Sequence, residues 1–120
     1  MKKRIYYDDT DAGGIVYHAN YLKYCEQARS EIFFKYNIYF ENDGYVVKEI
    51  KAKYIKPAKL GDIIEIKTKV LSIKKASLSL LHEIFKNDEK IFETQVELVY
   101  LKNGKISKIP QKHIKIINAL

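Results

Sequence analysis

The sequence predicts an α+β layer fold, with one antiparallel sheet of about five strands wrapped around one long central helix, in a single domain over residues 1–120. Three observations predict it. One early segment has apolar residues at helical spacing. Most of the chain after it alternates with a period of two. Short polar turns separate the alternating runs, so consecutive strands are expected to pair antiparallel.

Each element follows from its own pattern. Residues 5–7 can form a short strand. Residues 8–19 are loop-like, with Gly13-Gly14 the strongest break in the chain. From about 19 to 36 the pattern is helical: Tyr21, Cys25, Ala28 and Ile32 form one stripe, flanked by Leu22, Phe33 and Tyr36. Lys23, Glu26, Gln27 and Ser30 take the other side. A polar turn over 37–44 ends it. Val46, Ile50, Ala52 and Tyr54 share one face of a strand over 45–56, with Lys48 out of pattern. Residues 57–62 break that strand, and Gly61-Asp62 forms the turn. Ile64, Ile66, Thr68 and Val70 alternate in the next strand. Leu78, Leu80, His82 and Ile84 do so in the one after. Phe92, Thr94, Val96, Leu98 and Tyr100 mark the last long strand. Asn103-Gly104 is a hairpin turn, and an amphipathic tail follows Pro110. The far face and edges of such a sheet are expected to serve an oligomer interface.

Composition narrows the function classes. An apolar fraction of 47% argues against disorder. The net charge of +7, from 22 basic and 15 acidic side chains, favours anionic partners. The basic residues are spread along the chain, which weakens a nucleic-acid reading. Ten tyrosines could stack on bases, but many occupy inward positions. One cysteine, Cys25, excludes an internal disulfide and fits a reducing cytoplasm. The start MKKRIYYDDTD reaches acids before any apolar segment, unlike a signal peptide. No apolar run approaches the roughly 20 residues that span a bilayer. Three scattered histidines and one cysteine offer no metal-ligand spacing.

The run DDTDAGGIVYHANYLKYCEQARSE, residues 8–31, carries the chemistry. Glycines let the backbone approach a ligand and present N–H groups. A helix start adds unpaired donors and partial positive charge. Asp11 precedes the glycines, and His18 precedes the helix. A carboxylate beside a donor-rich turn is what acyl transfer needs. The same residues could equally shape turns: Asp8, Asp9 and Asp11 are common turn formers, and His18 could be an ordinary helix-start residue. Spacing alone leaves both readings open.

The run YYDDTDAGGIVYHANYLKYCEQARSE resembles the signature of hotdog-fold acyl-CoA thioesterases of the 4-hydroxybenzoyl-CoA thioesterase type. It is closest to the YbgC-like branch associated with the Tol-Pal envelope system. The matching residues are Asp9-Thr10-Asp11, Ala12-Gly13-Gly14, Val16 to Tyr21, and Glu26 with Ala28-Arg29. Lys56-Pro57-Ala58 before Gly61-Asp62 resembles that family's link between its second and third strands. The hotdog fold is a sheet around one long helix, which agrees with the pattern above.

The resemblance implies hydrolysis of acyl-CoA to free acid and CoA, with coenzyme A as part of the substrate and no separate cofactor. Asp11 matches the catalytic carboxylate, as nucleophile or general base. His18 matches a histidine at the helix start that contributes its backbone N–H, its ring, or both, with backbone N–H groups near Gly14 alongside. Tyr17, Asn20 and Tyr21 would shape the pocket, although Tyr21 and Cys25 also read as core. Asp8 and Asp9 read as loop-shaping or solvated. Glu26 and Arg29 could support the site, an interface or only the helix surface. Arg4, Lys53, Lys56, Lys59 and Lys75 are candidates for the phosphates of CoA. The family implies a pocket between two subunits and a homotetramer built as a dimer of dimers. Three rivals stand beside this reading. An acidic acyl carrier protein could replace CoA. A hotdog hydratase would need an Asp-x-Asn-Pro-x-His run, which is absent. A non-catalytic binding module is the third.

Overall fold

The four long alternating runs form the body of the sheet. In the computed structural model, which describes residues 1–120, the elements are β1 (Lys2–Arg4), α1 (Asn20–Phe34), β2 (Asp43–Tyr54), β3 (Ile63–Ile73), β4 (Ser77–Lys86), β5 (Glu89–Lys102), β6 (Lys105–Ile106) and α2 (Gln111–Asn118). They make one six-stranded sheet in the order β1-β3-β4-β5-β2, with β6 beside β5, and every pairing is antiparallel. This is the hotdog architecture: a curled antiparallel sheet with α1 on its concave face.

The structure corrects the expected layout in three places. The first strand lies at Lys2–Arg4 and not at 5–7; Ile5 closes it by donating its N–H to the Asp62 carbonyl at 2.8 Å, and Tyr7–Asp9 is a 3-10 turn. Consecutive strands pair from β3 onward, but β2 pairs with neither β1 nor β3: it pairs only with β5, and β3 lies between β1 and β4. The link 55–62 is long enough to carry the chain across. The third correction lies inside β2. Val47 sits opposite Leu98 and Glu49 opposite Glu97, so Lys48 is the extra residue of a bulge. The bulge reverses the alternation. The inward face of β2 is therefore Tyr45, Val47, Ile50, Ala52 and Tyr54, opposite the inward residues of β5. Val46, expected on that face, sits opposite Val99 on the other.

Two clusters fill the space under α1. Tyr21, Tyr24, Cys25 and Ala28 pack on Ile64, Ile66, Ile84 and Phe92 near the start of the helix. Phe33, Leu78, Leu80, Leu98 and Tyr100 pack with Ile109 and Ile117 near its end. Each fully buried side chain of this kind contributes about 1.5–3 kcal/mol of transfer free energy. The amphipathic tail expected after Pro110 is α2, which lays His113, Ile116 and Ile117 against the molecule. The convex face of the sheet carries ion pairs. Glu83, nearly buried there, meets Lys69 at 3.0 Å and Lys90 at 3.1 Å.

Candidate active site

The loop before α1 is pinned by an acid that the sequence does not distinguish from its neighbours. Asp9 is buried, not solvated. It accepts from the Tyr24 hydroxyl at 2.7 Å and the Tyr6 N–H at 2.8 Å, and Lys3 lies 3.6 Å away. Burial alone would raise its carboxyl. The bonds from Tyr24 and Tyr6 and the charge of Lys3 outweigh that and hold it below the ordinary carboxylate value. Its backbone carbonyl takes the Tyr17 N–H at 3.0 Å and the Asn20 side-chain amide at 3.0 Å. Asp9 thus ties the loop to the helix, and Asn20 serves that tie.

Asp11 sits two residues on, exposed. Its Oδ1 accepts the Gly13 N–H at 2.9 Å, and its carbonyl accepts the Gly14 N–H at 3.0 Å. Oδ2 receives no protein donor. A Cβ at Gly13 would lie 3.3 Å from Oδ1, and Gly14 turns the chain with φ +77°. The small residues therefore keep the carboxylate turn tight and open. The Gly14 N–H is engaged within that turn and is not a spare donor.

The spare donors lie at the helix start. The N–H groups of His18 and Ala19 have no acceptor within the protein, and no side chain caps α1, whose N-cap position is Ala19. Alanine is a poor cap because it offers no oxygen to the first turn. Two bonds fix these peptides. The Asn20 N–H holds the Tyr17 carbonyl at 2.9 Å, which turns the planar 17–18 peptide so that its N–H faces the other way. The Tyr54 hydroxyl, from β2, holds the His18 carbonyl at 2.9 Å. The exposed His18 ring packs on Tyr17, with centroids 4.6 Å apart, and lies 6.4 Å from the Tyr54 ring.

The link 55–62 crosses the helix start and closes the site from the other side. Val16 donates to the Ala58 carbonyl at 2.9 Å, and the Ala58 N–H donates to the Tyr21 hydroxyl at 2.9 Å. Tyr21 is thus a core side chain, stacked on Phe92, with its hydroxyl committed to the link. Burial, more than any neighbour, raises its phenol above the ordinary value. Lys56 lies on the link, exposed, and pairs with Glu89 at 3.0 Å. Lys56 and Lys59 share a shallow depression with Pro57, Lys86 and Asn87. Arg4 spends one guanidinium donor on the Gly61 carbonyl at 2.9 Å. The structure therefore puts Asp11 on the turn with Gly13 and Gly14, and Tyr17, His18 and Asn20 on the next turn, at the helix start, with Tyr21 behind that turn and Lys56 on the link to one side. No hydrogen bond joins Asp11 to His18. Asp9 shapes the loop, one of the two roles the sequence allowed it, but its burial was not legible there, and sequence reading missed Tyr54. Tyr54 lies over thirty residues from His18 in the chain, so no local spacing could reveal it.

One long helix held against a curled antiparallel sheet defines the hotdog class of fold. The family model described as the thioesterase superfamily matches residues 13–93, and the chain belongs to that superfamily. It is 38% identical to the acyl-CoA thioesterase YbgC of Helicobacter pylori over 100% of both chains. It is 37% identical to the acyl-CoA thioester hydrolase YbgC of Escherichia coli O157:H7, over 80% of this chain and 75% of that one. Among solved structures, a hypothetical protein from Aquifex aeolicus superposes with a TM-score of 0.91 at 25% identity, over 98% of this chain and 97% of that one. A 1,4-dihydroxy-2-naphthoyl-CoA thioesterase from Synechocystis has the same fold, with a TM-score of 0.90 at 18% identity over 100% of this chain and 95% of that one.

Proposed function

We infer that the chain hydrolyses acyl-CoA thioesters to a free acid and CoA at the turn between Asp11 and His18. One observation carries this reading: the His18 N–H is fixed in direction, unpaired, and set at an uncapped helix start one turn after an open carboxylate. The thioester carbonyl oxygen takes the His18 N–H, and the positive end of α1 stabilises the tetrahedral oxyanion. Losing one such donor costs roughly 3–4 kcal/mol of barrier in comparable sites. Asp11 works through Oδ2, either drawing a proton from water or attacking the carbonyl to form a mixed anhydride that water then opens. The leaving thiolate takes up the proton that Asp11 draws from water, or one from solvent in the anhydride route, and the His18 ring at the helix start orients the substrate. Tyr17 and Asn20 shape the rim. Lys56 and Lys59, with the +7 balance of the chain, favour the phosphates of CoA. The same charge favours an acidic acyl carrier protein as the second reading of the substrate.

The pocket is completed by a second copy. Strand β2 has a partner on one side only, and its inward side chains Val47 and Ile50 remain 45% and 42% exposed. Pairing of two β2 edges extends the sheet and covers them; two such dimers make a tetramer. Cys25 is a buried free thiol, which suits the cytoplasm.

The test is thiol release from short, long and aromatic acyl-CoAs, with Asp11→Asn beside the unaltered chain. Turnover that falls at least a hundredfold in the folded variant supports the reading. Undiminished turnover removes Asp11 from the reaction. Turnover on no acyl-CoA, but on an acyl carrier protein, moves the substrate to the second reading.

A further inference from the structure

A second cavity lies at the other end of α1. It has a volume of about 140 Å³, and its walls include Phe33, Leu78, Leu80 and Leu98. An engineered cavity of about 150 Å³ with walls of this kind takes benzene. The polar part of the wall is Glu26, Arg29 and Ser30, all from α1. None of the side chains of the Asp11 turn, Tyr17 or His18 lines it.

Arg29 is the unexplained group. It is partly buried and takes part in no ion pair. Its only hydrogen bond within the protein runs from Nη1 to Nε2 of His82, at 3.2 Å. A guanidinium has only donors, so His82 accepts at Nε2 and carries its proton on Nδ1, which donates to Thr68 Oγ1 at 2.8 Å. His82 is fully buried and neutral; burial and the Arg29 charge push its pKa down to about 3. The ring therefore holds Arg29 in place and gives it no negative charge. Glu26, exposed and one helical turn before Arg29, is the only acidic side chain in the wall and makes no bond to it; Leu120 also lines the cavity. A partly desolvated cation with spare donors, set in an apolar wall, is stabilised by an anion that brings its own apolar group.

We propose that this cavity binds a small carboxylic acid, with its apolar chain among Phe33, Leu78, Leu80 and Leu98 and its carboxylate on the Arg29 guanidinium. The site is separate from the Asp11 turn, and the inference does not depend on the hydrolytic reading. The ligand is a linear or aromatic acid about as large as hexanoate. Acids released from thioesters belong to this class, so the cavity can hold a reaction product away from the reacting centre.

Calorimetric titration of the full chain with hexanoate, and with hexanol as the uncharged match, tests it. Saturable hexanoate binding at least tenfold tighter than hexanol is expected, without any substitution. Arg29→Met keeps the apolar stem and removes the charge, and hexanoate should then bind no better than hexanol. Leu80→Phe fills the cavity and should abolish both. Glu26→Gln should tighten hexanoate several-fold. Equal affinity for the two probes, or no saturable binding, overturns the proposal. So does hexanoate binding that changes in Asp11→Asn and not in Arg29→Met, since the acid then sits at the reacting centre. If no acyl-CoA is hydrolysed but hexanoate still depends on Arg29, the proposal stands and the hydrolytic reading alone falls.

Discussion

Tyr54 shows how one hydroxyl can govern a backbone donor. Its bond to the His18 carbonyl at 2.9 Å fixes the 18–19 peptide, which carries the Ala19 N–H and follows directly on the peptide that carries the His18 N–H. Removing that hydroxyl lets the peptide swing and costs about 1–1.5 kcal/mol where alignment matters. Tyr54→Phe should therefore lower kcat about tenfold, with KM nearly unchanged and the fold intact. Steady-state kinetics beside a melting curve checks this, and a fall in melting temperature without a change in kcat would assign Tyr54 to packing alone. Asp9 acts on stability instead. Asp9→Ala strands the Tyr6 N–H and the buried Tyr24 hydroxyl, and should cost about 3 kcal/mol of unfolding free energy in urea titration. Three acids stand within four positions here, and nothing in their order marks Asp9 for burial and Asp11 for exposure. The difference arises from Tyr24 and Lys3, which only the folded chain brings to Asp9.

At the level of elements, local periodicity was readable and long-range pairing was not. The helix and four long strands follow from their apolar spacing. The bulge at Lys48 was visible only as a residue out of pattern, and its consequence, the exchange of Val46 for Val47 on the inward face, needed the register against β5. The separation of β2 from β3 was hidden for a related reason: an eight-residue link can close a hairpin or cross a sheet, and the choice depends on what it meets. Here it meets Val16 and Tyr21. The exposed β2 edge carries its own prediction. Ile50→Lys places a charge where a second copy would pack, and should shift the assembly to monomers in light scattering with an unchanged circular dichroism spectrum. Loss of turnover in that monomer would tie the pocket to the dimer; full turnover would place the whole site in one chain.

Across the whole molecule, acid acts through groups with separate pH windows. His82 has its pKa pushed from about 6.5 in the unfolded chain to about 3 in the fold, so between these values the unfolded state binds the extra proton. Stability therefore falls as pH drops through that window, by about 2–3 kcal/mol at pH 4.5. Asp9, Asp62 and Glu83 are held below their ordinary values; for Asp9 and Asp62 the bonds and charges outweigh burial, and for Glu83 the Lys69 bond leads. Their contribution is lost only at lower pH, as they take up protons in turn. Urea titrations at pH 7 and 4.5 should show His82→Gln losing less than the unaltered chain over this interval; equal losses would mean that His82 does not set the slope. The order of the sheet also bears on how the chain is made. Asp43 pairs with Lys102 and Tyr54 with Phe92, so β2 leaves the ribosome well before the strand that receives it. Through that interval Val47, Ile50 and Tyr54 emerge without cover, and the helix start waits for the Tyr54 hydroxyl. A nascent chain of this protein cannot settle the bond between Tyr54 and the helix start until β5 has been released to take up β2.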